Sequence, residues 1–422
     1  MPTIARLTAL EILDSRGRPT VRATCTLASG ASGTVSVPSG ASTGSAEVLE
    51  LRDGDPARYR GLGCRTAVRH VAEDLHLALA GQPFDQAGLD HAMITLDGTP
   101  NKARLGANAI LAVSLAFARA AANEAAIPLY QYFADLVGAP LATLPRLTIN
   151  LFSGGKHAGG QVPIQDVLLV PVAARTIDEG LAATYAVYQA AAELTAQKYG
   201  TRALTADEGG LAPPFPDAEA MLTDAVAAIE AAGFTPGKDV ALAVDVASSH
   251  FHEEGGYALG GDPLNSAGMI DRLAAWRETY PIVSIEDGLA EDDWANWPAL
   301  SARLGGNTLV LGDDFLCTNP ARIRRAIEVQ AANALLLKVN QIGTLSEAAE
   351  ARALAHEAGW HVTVSARSGE TEDDWLADLA VGWAGQQIKV GSITQSERLA
   401  KYNRLLAIEA EANLPVIGWP NP

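Results

Sequence analysis

The chain has 422 residues, 48% of them hydrophobic and 19% charged, which excludes a disordered chain and leaves length for two domains with a large core. Its formal net charge of −18 excludes a nucleic-acid surface, which needs a basic footprint, and argues against binding to an anionic membrane. An anionic substrate would have to be drawn in by metals and a few local cations against the global field.

The opening run MPTIARLTALEILDSRG has neither a long apolar stretch nor the shape of a signal peptide. Short strand-like runs follow among glycine-rich turns, such as Thr20 to Leu27 and Gly33 to Val37. Helical patterns then lead into the alanine-rich run 106–126. Its most apolar part, Ala109 to Ala118, is closed by Arg119 and is too short to span a bilayer, so a core helix is expected. A proline-bearing link, Ile127 to Pro145, places the expected domain boundary near residue 138. This gives an α+β domain over 1–138 and a second domain over 139–422. Cys25, Cys64 and Cys317 are odd in number and widely spaced, with no CxxC or zinc spacing, so reduced thiols of a cytoplasmic protein are expected.

From about Leu147 onward, short β-prone runs alternate with longer helical ones, the rhythm of a parallel α/β domain. Thr176 to Glu179 has the form of a capping box opening a helix that Gly200 closes. Pro216-Asp217 opens another, with Leu222, Val226 and Ile229 at helical spacing and Gly233 as the stop. Strands are expected at 240–246, 282–285, 308–311, 334–337, 361–364 and 387–390, and no internal repeat stands out.

Asp245, Glu286, Asp313, Lys338, Arg367 and Lys389 each sit where one of these apolar runs stops. In a (β/α)8 barrel the carboxyl ends of the strands converge on one mouth, where catalytic groups gather. One such charge is ordinarily a surface ion-pair partner or a snorkelling lysine. Six in succession would share a single rim. Asp245, Glu286 and Asp313, packed together, would repel strongly without a cation, and an all-oxygen ligand set suits Mg²⁺.

The wording of the chain closely resembles that of the enolase family. The motifs that carry the resemblance are LDSRG at 13–17, PSGASTG at 38–44, GANAIL at 106–111, DEGG at 207–210 and SIEDG at 284–288. EDDW at 291–294, GDD at 312–314, KVNQIGTL at 338–345, RSGETED at 367–373, QIK at 387–389 and AKYN at 400–403 continue it. They run in collinear order from about residue 4 to 410. Enolases dehydrate 2-phosphoglycerate to phosphoenolpyruvate, and the resemblance implies a C-terminal enolase-type (β/α)8 barrel with a smaller N-terminal α+β domain. It further implies that Asp245, Glu286 and Asp313 hold a first Mg²⁺. Ser42, in a mobile loop over 38–44, would help to hold a second. Lys338 would be the base that takes the C2 proton and Glu208 would assist departure of the C3 hydroxyl. Arg367 and Ser368 would hold the phosphate, Lys389 the carboxylate side, with Gln165, His157 and the residue at 166 also lining the site. By family, a homo-oligomer, dimer or larger, is expected, with a small phosphorylated or phosphonylated carboxylate as substrate and no nucleic-acid or membrane partner.

Elementary chemistry agrees with these roles. A proton beside a carboxylate is weakly acidic because its removal adds charge to an anion, and cations placed there stabilise that charge. The enolase superfamily is itself the standard instance of a lysine or histidine base with one or two Mg²⁺ ions. Lys338 has to be neutral to act, and Lys389 and the metal are expected to lower its pKa. Taken singly, the 38–44 run would read as a glycine-rich turn and His157 as an ordinary loop histidine.

Several positions depart from the family wording. Ala366 stands where a histidine is usual and Asp166 where a glutamate is usual. Ser153 replaces an asparagine, Ala206 a glycine and His250 a glutamate. The metal ligands and the lysines are kept, so the changes cluster around the leaving hydroxyl and the phosphate pocket. Two lyase readings therefore stand together: a divergent phosphopyruvate hydratase, and a carboxyphosphonoenolpyruvate synthase of phosphinate-antibiotic pathways, whose bulkier phosphorus group would use the space left by Ala366. A non-catalytic enolase-like binding protein is the alternative from another class, and the complete acid, base and metal set argues against it.

Overall fold

The computed structural model describes residues 1–41, 43–200, 202 and 204–419. The half-buried runs near the N-terminus form β1 (Ile4–Leu13), β2 (Pro19–Leu27) and β3 (Ser32–Ser36), an antiparallel meander. After an irregular helical stretch over 65–79 come α1 (Gln86–Asp97), α2 (Ala107–Ala125) and α3 (Leu129–Val137). The expected core helix is α2, which is buried without a break from Ala107 to Ala118 and packs on β2 and β3. Its alanines allow close approach of the backbones. A Cβ added at Gly33 would sit 2.4 Å from the Ala116 carbonyl oxygen, so β3 requires glycine there. Among the described residues, no single helix is long and apolar enough to cross a membrane.

The rest of the chain closes into an eight-stranded barrel whose strands bond in chain order. They are β4 (Arg146–Ser153), β5 (Asp166–Val170), β6 (Ala241–Asp245), β7 (Ile282–Glu286), β8 (Leu309–Gly312), β9 (Ala334–Leu337), β10 (His361–Ser365) and β11 (Gln387–Gly391). The barrel is covered by α4 (Ile177–Tyr199), α5 (Ala218–Ala231), α6 (Ser266–Thr279), α7 (Trp297–Leu304), α8 (Pro320–Glu328), α9 (Leu345–Glu357), α10 (Trp375–Gly382) and α11 (Ser396–Ala412). The parallel arrangement expected from the alternation holds for every strand except β5, which runs antiparallel to both neighbours. The reason is local: the connection over 154–165 holds only the 3₁₀ turn Gly155–His157, and a parallel crossover generally needs a helix.

The helix signals work as anticipated, with one change. Thr176 Oγ1 accepts from the Glu179 amide at 3.0 Å, but Glu179 Oε2 accepts from the Arg175 amide at 2.7 Å instead of closing back on Thr176. Asp217 Oδ1 accepts from the Ala220 amide at 2.7 Å, and Gly200 and Gly233 take the left-handed conformation past their helices.

The smaller domain rests on the mouth of the barrel. Ser39 and Gly369 exchange both backbone hydrogen bonds at 2.8 and 2.9 Å, and the Val48 amide donates to the Gln341 carbonyl at 3.0 Å. On the flank, the buried Asp90 of α1 accepts from Ser346 N and Oγ at 2.9 and 2.6 Å at the start of α9.

Candidate active site

Six of the eight expected charged or polar rim positions follow directly from strand direction, and two from its reversal. Asp245 and Glu286 are the last residues of β6 and β7 and are paired in register. Asp313 and Lys338 directly follow β8 and β9, and Arg367 lies two residues past β10, while Lys389 is in the middle of β11. Since β5 is reversed, its start reaches the mouth, which brings in Gln165 and sets Asp166 opposite both Ser153 and Asp245. Glu208 arrives on the connection between α4 and α5, which returns to the mouth where the Leu211 amide donates to the Leu151 carbonyl at 2.8 Å.

His157, Gln165, Glu208, Asp245, Lys338, Ala366, Arg367, Ser368 and Lys389 line one cavity at this mouth. Glu286 lies beneath it, on a neighbouring void that Lys389 also lines. Asp166 is behind His157 and Asp313 behind Lys338. Ser42 lies outside the described residues.

The buried charges are paired across strands. Lys389 Nζ donates to Asp245 Oδ2 at 2.9 Å and to Glu286 Oε2 at 2.7 Å. Lys338 Nζ donates to Asp313 Oδ2 at 2.5 Å, while Gln341 Nε2 holds Asp313 Oδ1 at 2.8 Å. Burial alone would push the Lys338 ammonium down, yet the Asp313 carboxylate outweighs it and the pKa rises. The lowered lysine pKa expected from sequence is thus corrected for this arrangement: the Asp313 and Glu286 charges outweigh burial and the Arg367 and Lys389 charges. Lys389 is likewise driven well above its ordinary value, burial being overcome by Asp245 and Glu286.

Of the expected ligands, Asp245 and Glu286 share the Lys389 ammonium and offer buried oxygens to a hard divalent cation, while Asp313 is turned to Lys338 and Gln341, and the three do not draw together as one ligand set. Glu286 is pushed well above the carboxylate range, first by burial and then by the Asp245 charge, with Asp313 adding to it. Glu286 Oε1 and Gln165 Oε1 are both buried without a hydrogen-bond partner. Each is an oxygen donor, and the ammonium of Lys389 already marks the place between Asp245 and Glu286 as one that calls for positive charge. Among the described residues, the acids whose ligand atoms draw within 4.8 Å of one another are Asp287, Asp313 and Asp314, and the mixed set His157, Asp166 and Glu208. In the first of these Asp287 serves the backbone, its two oxygens accepting from the Asp313 and Asp314 amides at 2.9 and 2.8 Å. Nearby, His250 Nε2 is 4.0 Å from Asp314 Oδ2, and burial, then the Lys156 charge, lowers the imidazole to about 4.

On the other side of the cavity, His157 Nδ1 meets Asp166 Oδ2 at 2.8 Å and Nε2 stands 3.7 Å from Glu208 Oε1. Burial opposes the imidazolium, but Asp166 and then Glu208 outweigh it and raise His157 to about 9. Ser153 Oγ donates to the other Asp166 oxygen at 2.5 Å, so the shortened acid remains fully bonded. Glu208 accepts from Asn150 Nδ2 at 3.1 Å. Burial would raise it, yet His157, Arg398 and the two lysines hold it below its usual range.

Sequence reasoning did not single out Glu47, Asn340, Gln341, Asp287 or Arg16. Glu47 and Asn340 hold the Arg367 guanidinium, and Arg16 Nη1 donates to Ser368 Oγ at 3.2 Å. Asn340 and Gln341 stand within the KVNQIGTL run and Arg16 within LDSRG, which was the available signal. Glu47 lies just beyond the 38–44 run, and nothing in the chain order ties it to Arg367.

A family model described as "Enolase, C-terminal TIM barrel domain" matches residues 141–415, and one described as "Enolase, N-terminal domain" matches residues 4–133. The chain belongs to the enolase family. Within an enolase framework the reversed β5 and the closed barrel are the scaffold that sets Asp166 beside Asp245. The replacements at 166 and 366 both fall on or next to the cavity lining.

Proposed function

We propose that the protein is a Mg²⁺-dependent enolase-type lyase that removes the C2 proton of 2-phosphoglycerate, or of a close analogue, and eliminates the C3 hydroxyl to give a phosphoenolpyruvate-type product. The observation that carries this reading is the single cavity on which Lys338 faces acids and cations that are all buried and all paired. Asp245, Glu286 and Asp313 would hold Mg²⁺, which when bound would supply positive charge against the substrate carboxylate. In its neutral form Lys338 Nζ accepts the proton from the carbon beside that carboxylate. Lys389 orients the carboxylate, and Arg367 with Ser368 binds the phosphorus group. Glu208 assists the hydroxyl as it leaves, with protonated His157, 3.7 Å away, as the proton store.

A second reading concerns the substrate alone. Ala366 lines the cavity beside Arg367, and a methyl group in the place of an imidazole leaves room for a phosphorus group that carries a carboxylate, the substrate of a carboxyphosphonoenolpyruvate synthase. Phosphorus NMR of reactions with 2-phosphoglycerate and with carboxyphosphono analogues, with and without Mg²⁺, tests both. Loss of starting signal with one of them identifies the substrate, and no product from either in the presence of Mg²⁺ removes the lyase reading.

A further inference from the structure

Two lysines and an arginine line the cavity, and each is matched with acid. Lys338 and Lys389 pair with carboxylates of the barrel itself. Arg367 pairs with a residue of the other domain: Nη1 donates to Glu47 Oε2 at 3.0 Å and Nη2 to Glu47 Oε1 at 3.1 Å. Only 3% of the arginine side chain and 8% of the glutamate are exposed. This two-point fork is the geometry with which a guanidinium takes a carboxylate or a phosphate oxygen pair. We propose that Glu47 is a built-in occupant of the head-group site, holding on Arg367 the place of the substrate's acidic phosphorus group, and that substrate binds by displacing it. The inference rests on the reading that Arg367 receives that group.

Three observations favour displacement over a permanent pair. A phosphoryl dianion brought to Arg367 beside Glu47 would bury like charges together, which is strongly unfavourable in a low-dielectric site. The two partners are also tethered differently. Arg367 follows β10, its backbone amide donates to Glu370 Oε1 at 3.1 Å and its Nη1 to Asn340 Oδ1 at 2.8 Å. Glu47 lies between the Ser45 amide on Glu291 Oε2 at 2.9 Å and the Val48 amide on the Gln341 carbonyl at 3.0 Å, and apart from Arg367 its side chain accepts only from the Gly44 amide at 3.1 Å and, at 3.5 Å, from Gln341 Nε2. When the pair opens, Glu47 is the partner that leaves, and the Gly44 amide loses its acceptor. Finally, the group that now sits on Arg367 is a carboxylate, so the site already accepts the chemistry that a carboxylated phosphorus group presents.

Binding of inorganic phosphate, measured by calorimetry with and without Mg²⁺, tests this without turnover. If Glu47 occupies Arg367 in nine of ten molecules, Glu47→Gln tightens phosphate binding by about tenfold. Glu47→Asp, which keeps the charge on a shorter arm, falls between. Hydrogen exchange of the peptide spanning residues 44–49 rises in the wild type when phosphate is added and is already fast in Glu47→Gln. Phosphate binding that is unchanged or weaker in Glu47→Gln, or no rise in exchange, overturns the displacement. Arg367→Met should lose phosphate binding. Retention of binding there would instead remove the head-group assignment, and with it this inference, and absence of binding in every variant counts against both.

Discussion

Asp166 and Asp245 face each other in register across the β5–β6 ladder, the antiparallel seam of the barrel mouth. Each is neutralised from its own side, Asp166 by His157 and Ser153 and Asp245 by Lys389 and Gln165. The seam therefore divides the cavity into a histidine half and a lysine half, which the proposed mechanism assigns to the leaving hydroxyl and to the carboxylate. That division sets how the protein should respond to pH, to metal and to mutation.

The histidine half should make stability fall in alkali. His157 is raised from 6.5 to about 9 in the folded chain, so the native state binds more protons than the unfolded one. Its contribution is fully present below about pH 6.5 and is lost as pH rises through about 9. Urea denaturation from about pH 6 to pH 10 should show wild type losing stability more steeply than His157→Gln. Equal slopes would mean that the imidazole is neutral in the folded protein.

In the lysine half, metal removal should stop turnover. EDTA is expected to abolish activity and Mg²⁺ to restore it, with a rise in melting temperature as the ion binds the folded state. In Asp245→Ala and Glu286→Ala neither activity nor the melting shift should return at ordinary Mg²⁺ levels. Full activity in metal-free buffer would contradict the ligand assignment.

Proton abstraction and elimination should separate. Lys338→Ala is expected to stop exchange of the substrate C2 hydrogen with deuterated water, a loss of about 10²–10⁴-fold for a positioned base. Glu208→Gln should slow elimination while exchange continues. Deuterium incorporation at the wild-type rate in the lysine variant would move the base elsewhere.

Ala366 should decide between substrates. Ala366→His is expected to raise activity on 2-phosphoglycerate by about 10²-fold or more and to obstruct a carboxyphosphono substrate, opposite signs that a steric switch requires. Asp166→Glu, alone and combined with Ala366→His, shows whether the shortened acid limits the gain. Wild-type turnover of 2-phosphoglycerate that is fast and insensitive to Ala366→His would leave no case for a specialised substrate.

Much of this site was legible because parallel strands all end at one rim. Asp245, Glu286, Asp313 and Lys338 could be picked out as charges that stop apolar runs, and the structure puts them at that rim. Gln165 and Asp166 could not be found that way, since they begin a strand whose direction is reversed by the short 154–165 connection. Resemblance alone supplied them. Glu208 sits between two helices and so carries no strand signal. Glu47 was out of reach altogether, because its partner Arg367 is 320 residues away on another domain and contact order of that kind leaves no local pattern.

The reversal of β5 also apportions where the chain tolerates change. Its amino end and the carboxyl ends of its neighbours share the mouth, so the 154–165 connection and the α4–α5 connection both hang over the chemistry. The links from β5 into α4 and from α5 into β6 lie at the opposite face, where Pro236 bridges to Val240 far from any titrating group of the cavity. Lengthening or permuting the chain at that lower face should leave the chemistry untouched. A single residue added to either upper connection would re-aim His157 or Glu208. Descent within such a scaffold can thus trade one substrate for another by editing two connections, with the barrel itself carried along unchanged.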